Sequence, residues 1–187
     1  MFDKLKDKNF DIVVRNHAKA IFEVDFANES KEIVDALLEL RIPIEDLIGS
    51  GGGEAQSTQW LRKRLYGANW NKHNFEFKFF LDGIERTSIS HEIDHVRRSE
   101  NGVIALELEW NNKDPFFDRD LENFHRLHSQ SAISLGVIVT RGQTMQARMK
   151  TFIERGIKKY GIDDENGMMR QFSLTDPLIF TQPRRDH

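Results

Sequence analysis

The 187 residues carry 30% charged and 39% hydrophobic side chains with fourteen Phe, a balance that excludes a disordered chain and suffices for one globular domain over 1–187. There is no cysteine, which excludes disulfides and thiolate metal sites. There is also neither a long apolar run nor an apolar signal core in MFDKLKDKNF, so a cytoplasmic protein with no membrane partner is expected. The formal net charge of −3 weighs weakly against a nucleic-acid partner, yet the bases are bunched: Arg141, Arg148, Lys150, Arg155, Lys158 and Lys159 stand against Glu154 alone between 141 and 160, and Arg62-Lys63-Arg64 is a second cluster.

Residues 30–41, SKEIVDALLELR, predict a helix with Ile33, Leu37 and Leu40 on one face, Ser30 as N-cap and Pro43 beyond the end. Ser50-Gly-Gly-Gly53 is a break, after which EAQSTQWLRKRLYG predicts a second helix burying Trp60, Leu61 and Leu65. Gly51–Gly53 with Ser57 and Thr58 is either a phosphate seat at that helix start or a plain flexible loop. Phe75, Phe77 and Phe79 alternate with polar residues, which predicts a half-buried strand over 74–81 turned back by Asp82-Gly83. The next strand is expected from about Thr87 to Arg97, and Asn101-Gly102 predicts a hairpin returning as Val103–Trp110.

Asp114-Pro115 starts a helix, aspartate at the N-cap and proline at the first helical position, with Leu121, Phe124, Leu127 and His128 as its apolar stripe. The Phe116, Phe117, Leu121 and Phe124 stripe reads first as core and in part as a dimer seam. ISLGVIVT, 133–140, is a continuous apolar run of the kind found in strands covered on both faces. Strand, helix and strand in that order make a crossover and hence a mixed sheet. A last long helix carries Met145, Met149, Phe152, Ile153 and Ile157 on one face, and the chain after Gly161 is unpatterned. The expected fold is α/β, a central mixed β-sheet flanked by helices.

The acids supply the chemistry. With a two-residue Asn101-Gly102 turn, Asp94 faces Glu109 and Val96 faces Glu107, which puts Asp94, Glu107 and Glu109 on one face with Cβ atoms about 5–8 Å apart. Ile104, Leu106, Leu108 and Trp110 then take the opposite, core face. Like charges so close stay ionised only around a cation, and an all-oxygen set suits Mg²⁺ or Mn²⁺. Such an ion polarises a phosphate and lowers the pKa of a bound water. The bland alternative is the solvated outer face of an antiparallel hairpin. His91 and His95 fall with Ile93 on the face opposite Asp94 and read as core histidines, while His125 and His128 lack a third ligand.

The turn Asn111-Asn112-Lys113 follows the acidic strand. Asn pairs with adenine and Lys bonds guanine in the major groove, although Asn-Asn before Asp-Pro is also ordinary turn chemistry. Thr140-Arg141 ends the buried strand at the carboxyl edge of the sheet, where ligands of α/β folds bind.

HEIDHV at 91–96, ALELEWNNKDPFFDRDLENF at 105–124 and ISLGVIVTRG at 133–142 together resemble the BglII/BstYI family of type II restriction endonucleases, within the PD-(D/E)xK nuclease superfamily, over roughly residues 50–145. The resemblance implies a restriction-endonuclease-like fold and a homodimer that cuts double-stranded DNA with Mg²⁺, with Mn²⁺ as a substitute, at a palindrome with a GATC centre. It assigns metal binding to Asp94, Glu107 and the backbone carbonyl of Leu108, and the third catalytic position to Glu109. A lysine is commoner at that position, so the cation thought to steady the attacking water is missing there; Lys113 is a remote substitute past the strand end. It assigns DNA contacts to Asn111, Asn112, Lys113, Thr140 and Arg141. A repair or structure-selective nuclease and a non-cleaving DNA-binding relative remain alternatives.

Overall fold

The computed structural model describes residues 1–44, 46, 54–109 and 114–160, without the side chains at 114–117, 146 and 160. The chain gathers into two compact units. One holds Met1, Val13–Ala36 and Lys63–Thr140; the other holds Phe2–Ile12, Leu37–Arg62 and the chain from Arg141.

The first unit is built on a four-stranded mixed sheet in the order β1-β2-β3-β4: β1 Asn71–Leu81, β2 Ile84–Ser99, β3 Gly102–Glu109 and β4 Leu135–Thr140. β1, β2 and β3 are antiparallel neighbours, and β4 joins β3 in parallel after a crossover through a helix, Asp114–Ser129. The expected α/β architecture is present. Asp82 and Gly83 both have positive φ, +52° and +78°, and close the β1–β2 hairpin as the type I′ turn their sequence predicts. The hairpin outruns the core, however: Phe75 is buried, Phe77 half-buried, and Phe79, Phe80, Leu81 and Ile84 are exposed.

The helices, in chain order, are α1 Phe2–Lys6, α2 Ala18–Ala20 continued by a π-helical turn over Ile21–Asp25, α3 Ala27–Glu39, α4 Gln56–Tyr66, α5 Asp114–Ser129, α6 Gln143–Ala147 and α7 Met149–Tyr160. Among the described residues no helix is long and apolar enough to cross a membrane. α3 starts a turn earlier than its sequence suggests. Ser30 is therefore not an N-cap but a buried helical residue whose N–H donates to the carbonyl of Phe26. On α4, Leu61 and Leu65 are buried while Trp60, one helical step off that stripe, is 39% exposed.

One face of the sheet packs Phe75, Ile93, Val96 and Ala105 against Phe124 and Leu127 of α5. The buried stripe of α5 is Asp120, Asn123, Phe124 and Leu127; Leu121 and His128, expected inward, are exposed. The other face meets α3 and the end of α4. Trp70 Nε1 donates to Glu32 of α3 at 2.8 Å, Arg97 pairs with the same carboxylate at 3.2 Å, and the Tyr66 ring lies 5.4 Å from that of His95.

β4 lies at the sheet edge with only Leu135 buried, so its apolar run is not covered on both faces as expected. Its Gly136 is where Phe124 presses closest, with a methyl group there 2.5 Å from the ring. In the second unit the expected single last helix is broken at Arg148, whose N–H is shared between the carbonyls of Thr144 and Met145.

Candidate active site

The hairpin that carries the acids turns on Glu100-Asn101 rather than Asn101-Gly102, because Ser99 pairs with Gly102 and His95 with Leu106. This register is two residues away from the expected one. Val96 faces Ala105 and not Glu107, and one step beyond the paired stretch Asp94 comes level with Glu107 and not Glu109. A slip of two keeps every side chain on its face. Just after the turn, Gly102 has φ +132°, and a methyl group there would stand 2.3 Å from the Ser134 hydroxyl.

A second irregularity lies at Asp94 itself. β1 pairs His73 with Ile93 and then Asn71 with Val96, so Lys72 alone opposes two residues, Asp94 and His95. That is a β-bulge, a feature that re-aims side chains and recurs beside active sites. It breaks the alternation assumed from sequence: Ile93 and Val96, three apart, both pack against α5, His91 lies against Asn123 of α5, and His95 turns to Tyr66 on the opposite face. His91 and His95 therefore do not share a side.

Asp94 is half-exposed and its carboxylate sits 3.6 Å from Lys72 Nζ, which donates to Glu92 at 2.9 Å. The Glu92 hydrogen bond leads the causes that hold the Lys72 pKa above its ordinary value. Glu107 is 5% exposed, and its Oε2 accepts from the backbone N–H of Asp94 at 3.4 Å. Burial first, then the charges of Asp94 and Asp120, push the Glu107 pKa up to about 8, with Glu109 adding least. Glu109 is also buried, opposite Thr140 in the parallel ladder. Leu108 is half-buried and pairs with Val139.

Asp120 and Lys72 are the two charged neighbours that the sequence pattern missed. Asp120 is 1% exposed; its Oδ1 pairs with Arg119 at 3.0 Å, and its Oδ2 has no hydrogen-bond partner among the described residues. It sits four before Phe124 and seven before Leu127, a charged residue on an apolar stripe, and that spacing is the signal that could have found it. Nothing in the spacing marks Lys72, because it reaches Asp94 only through the bulge.

Asp94 and Asp120 thus act electrostatically on Glu107, but no group of three or more His, Asp or Glu among the described residues stands arranged to hold a metal ion. Thr140 donates its hydroxyl to the carbonyl of Glu109 at 2.9 Å, tying the end of β4 to the acidic strand. Arg141 is half-buried and begins the second unit's last segment. His125 and His128 are exposed. Asn111, Asn112 and Lys113 lie outside the described residues, as do Trp110, Gly51–Gly53, the side chains of Phe116 and Phe117, and the chain after 160. The Ser57 N–H is engaged by Asp46 Oδ2 at 2.7 Å, an acid where a phosphate seat would need none.

A sequence model of the family described as restriction endonuclease BglII/BglIII matches residues 10–166, most of the chain. Comparison with curated proteins and with solved structures gives no match.

Proposed function

Because the chain belongs to the BglII/BglIII family of restriction endonucleases, we propose that it is a homodimeric, Mg²⁺-dependent type II enzyme cutting one phosphodiester in each strand of a palindromic duplex centred on GATC. Family membership makes it a DNA-binding endonuclease of a restriction system; the target, the metal, the two-fold assembly and a cytoplasmic setting are the proposal.

The observation that carries the site assignment is the buried Glu107 hydrogen-bonded to the bulged Asp94. The residues fit a hard divalent cation. All the donors are oxygens, Glu107 is a buried acid whose neighbours are also acids, and Asp120 presents a buried oxygen without a hydrogen-bond partner among the described residues. Asp94, Glu107 and the Leu108 carbonyl would hold the ion, which supplies phosphate polarisation and an activated water. Glu109 would ligate or order that water. Asn111, Asn112, Lys113 and Arg141 would contact DNA, and Thr140, through its bond to Glu109, would brace the recognition edge against the acidic strand.

The test is digestion of unmethylated phage DNA by the purified protein with Mg²⁺, with Mn²⁺ or with chelator. Discrete fragments that need the metal, with ends that share one palindrome, are expected. A smear would replace this reading with a non-specific or structure-selective nuclease, and intact DNA that the protein nevertheless binds would replace it with a non-cleaving relative.

A further inference from the structure

The second unit contains a groove of about 530 Å³ within itself. Three cations line it: Arg148 at the break between α6 and α7, and Arg155 and Lys159 on α7. They are spaced by seven and then four residues, which keeps them on one helical stripe about 16 Å long. All three are exposed, and half-buried Met145 and Phe152 line the same groove.

Among the described residues no acid lines the groove. Asp11, which touches the lining residue Thr144, is engaged there, accepting from its N–H and its hydroxyl at 3.2 Å each. The described lining itself thus carries three cations on an apolar floor. Long cationic stems lie well on such a floor, and their heads attract anions more strongly beside low-dielectric walls. A chain of 187 residues with net charge −3 that must hold DNA needs such a concentrated basic surface. A run of about 16 Å follows several successive phosphates of one strand, and the apolar floor suits the deoxyriboses between them.

We infer that this groove seats the phosphate strand of duplex DNA independently of sequence, with Arg148, Arg155 and Lys159 each neutralising a phosphate. The inference rests on the endonuclease reading above and gives that reading its backbone contacts, which position the duplex without specifying it.

Fluorescence anisotropy tests it, with the full-length protein in chelator, two labelled duplexes (one containing the cleaved sequence and one lacking it) and a range of salt concentrations. Each single change, Arg148→Ala, Arg155→Ala or Lys159→Ala, is expected to weaken both duplexes alike by about three- to ten-fold and to lower the slope of log affinity against log salt by about one. Arg155→Lys, which keeps the charge, should keep the slope, and thermal unfolding of each variant confirms the fold. A triple alanine variant that binds with wild-type affinity and slope overturns the groove, and so does a loss confined to the duplex with the cleaved sequence. If the wild type cuts DNA while the triple variant binds undiminished, the groove alone fails. If the wild type neither cuts nor binds any duplex, the endonuclease reading fails with it.

Discussion

The backbone N–H of Asp94 donates to Oε2 of Glu107 across 3.4 Å, joining a bulged residue of β2 to a buried acid of β3. The bond reaches across the one stretch of the hairpin where regular pairing has lapsed. It lets the bulge hold the half-exposed Asp94 against the buried Glu107. Burying Glu107 beside Asp94 and Asp120 disfavours its ionised form, so the metal-free protein is adapted to a proton or a cation at that place.

The first expectation concerns pH. Between about 4.5 and 8 the folded, metal-free protein keeps the Glu107 proton that the unfolded chain has lost. Stability therefore falls as pH rises through that window, by at most about 1.4 kcal/mol per pH unit, and levels off above it. Urea denaturation in chelator between pH 5 and 9 should show this decline, and Glu107→Gln should flatten it. A wild-type profile that rises from pH 5 to 8 would refute the assignment.

Asp120 offers an independent handle. Asp120→Asn removes one of the charges that raise the Glu107 pKa while keeping the shape of the side chain. The stability decline should then end at a lower pH than in the wild type. An unchanged endpoint would mean that Asp120 does not act on Glu107.

Lys72 competes with any cation for Asp94. As an exposed pair it contributes at most about 1 kcal/mol to folding, so Lys72→Met should leave the melting temperature nearly unchanged and tighten Mn²⁺ binding a few-fold by calorimetry. Weaker Mn²⁺ binding in this variant would show that Lys72 assists the metal site.

Gly136→Ala probes the frame that holds the site. The new methyl would stand 2.5 Å from the Phe124 ring, between β4 and α5, and overpacking of this kind costs about 1–3 kcal/mol. Urea unfolding should show that loss; wild-type stability would mean the ring moves aside freely.

Much of this frame was legible in the chain. Asp82-Gly83 fixes its hairpin through two positive φ values that few other residue pairs adopt, and the Phe75 alternation marks β1. The pairing of Asp94 with Glu107 was legible as a shared neighbourhood but not as a register. The Glu100-Asn101 turn is followed by Gly102, whose open side is filled by Ser134, thirty-two residues further on, a contact that no local pattern announces. The bulge at Asp94 has no local sequence mark, and it decides where Asp94, His91 and His95 point. Asp120 escaped because a charged residue on an amphipathic helix reads as solvent-facing, whereas burial here follows from the rotation of α5 against the sheet.

The most direct measurement is single-turnover cleavage of a duplex carrying the enzyme's own target by wild type and Glu107→Gln in Mg²⁺, with duplex affinity measured in parallel in Ca²⁺. If Asp94 and Glu107 form the catalytic acid pair, Glu107→Gln loses on the order of 10³-fold in cleavage rate while its affinity for the duplex stays within a few-fold. Cleavage within ten-fold of wild type by the folded variant would contradict that claim and move the active centre elsewhere in the chain.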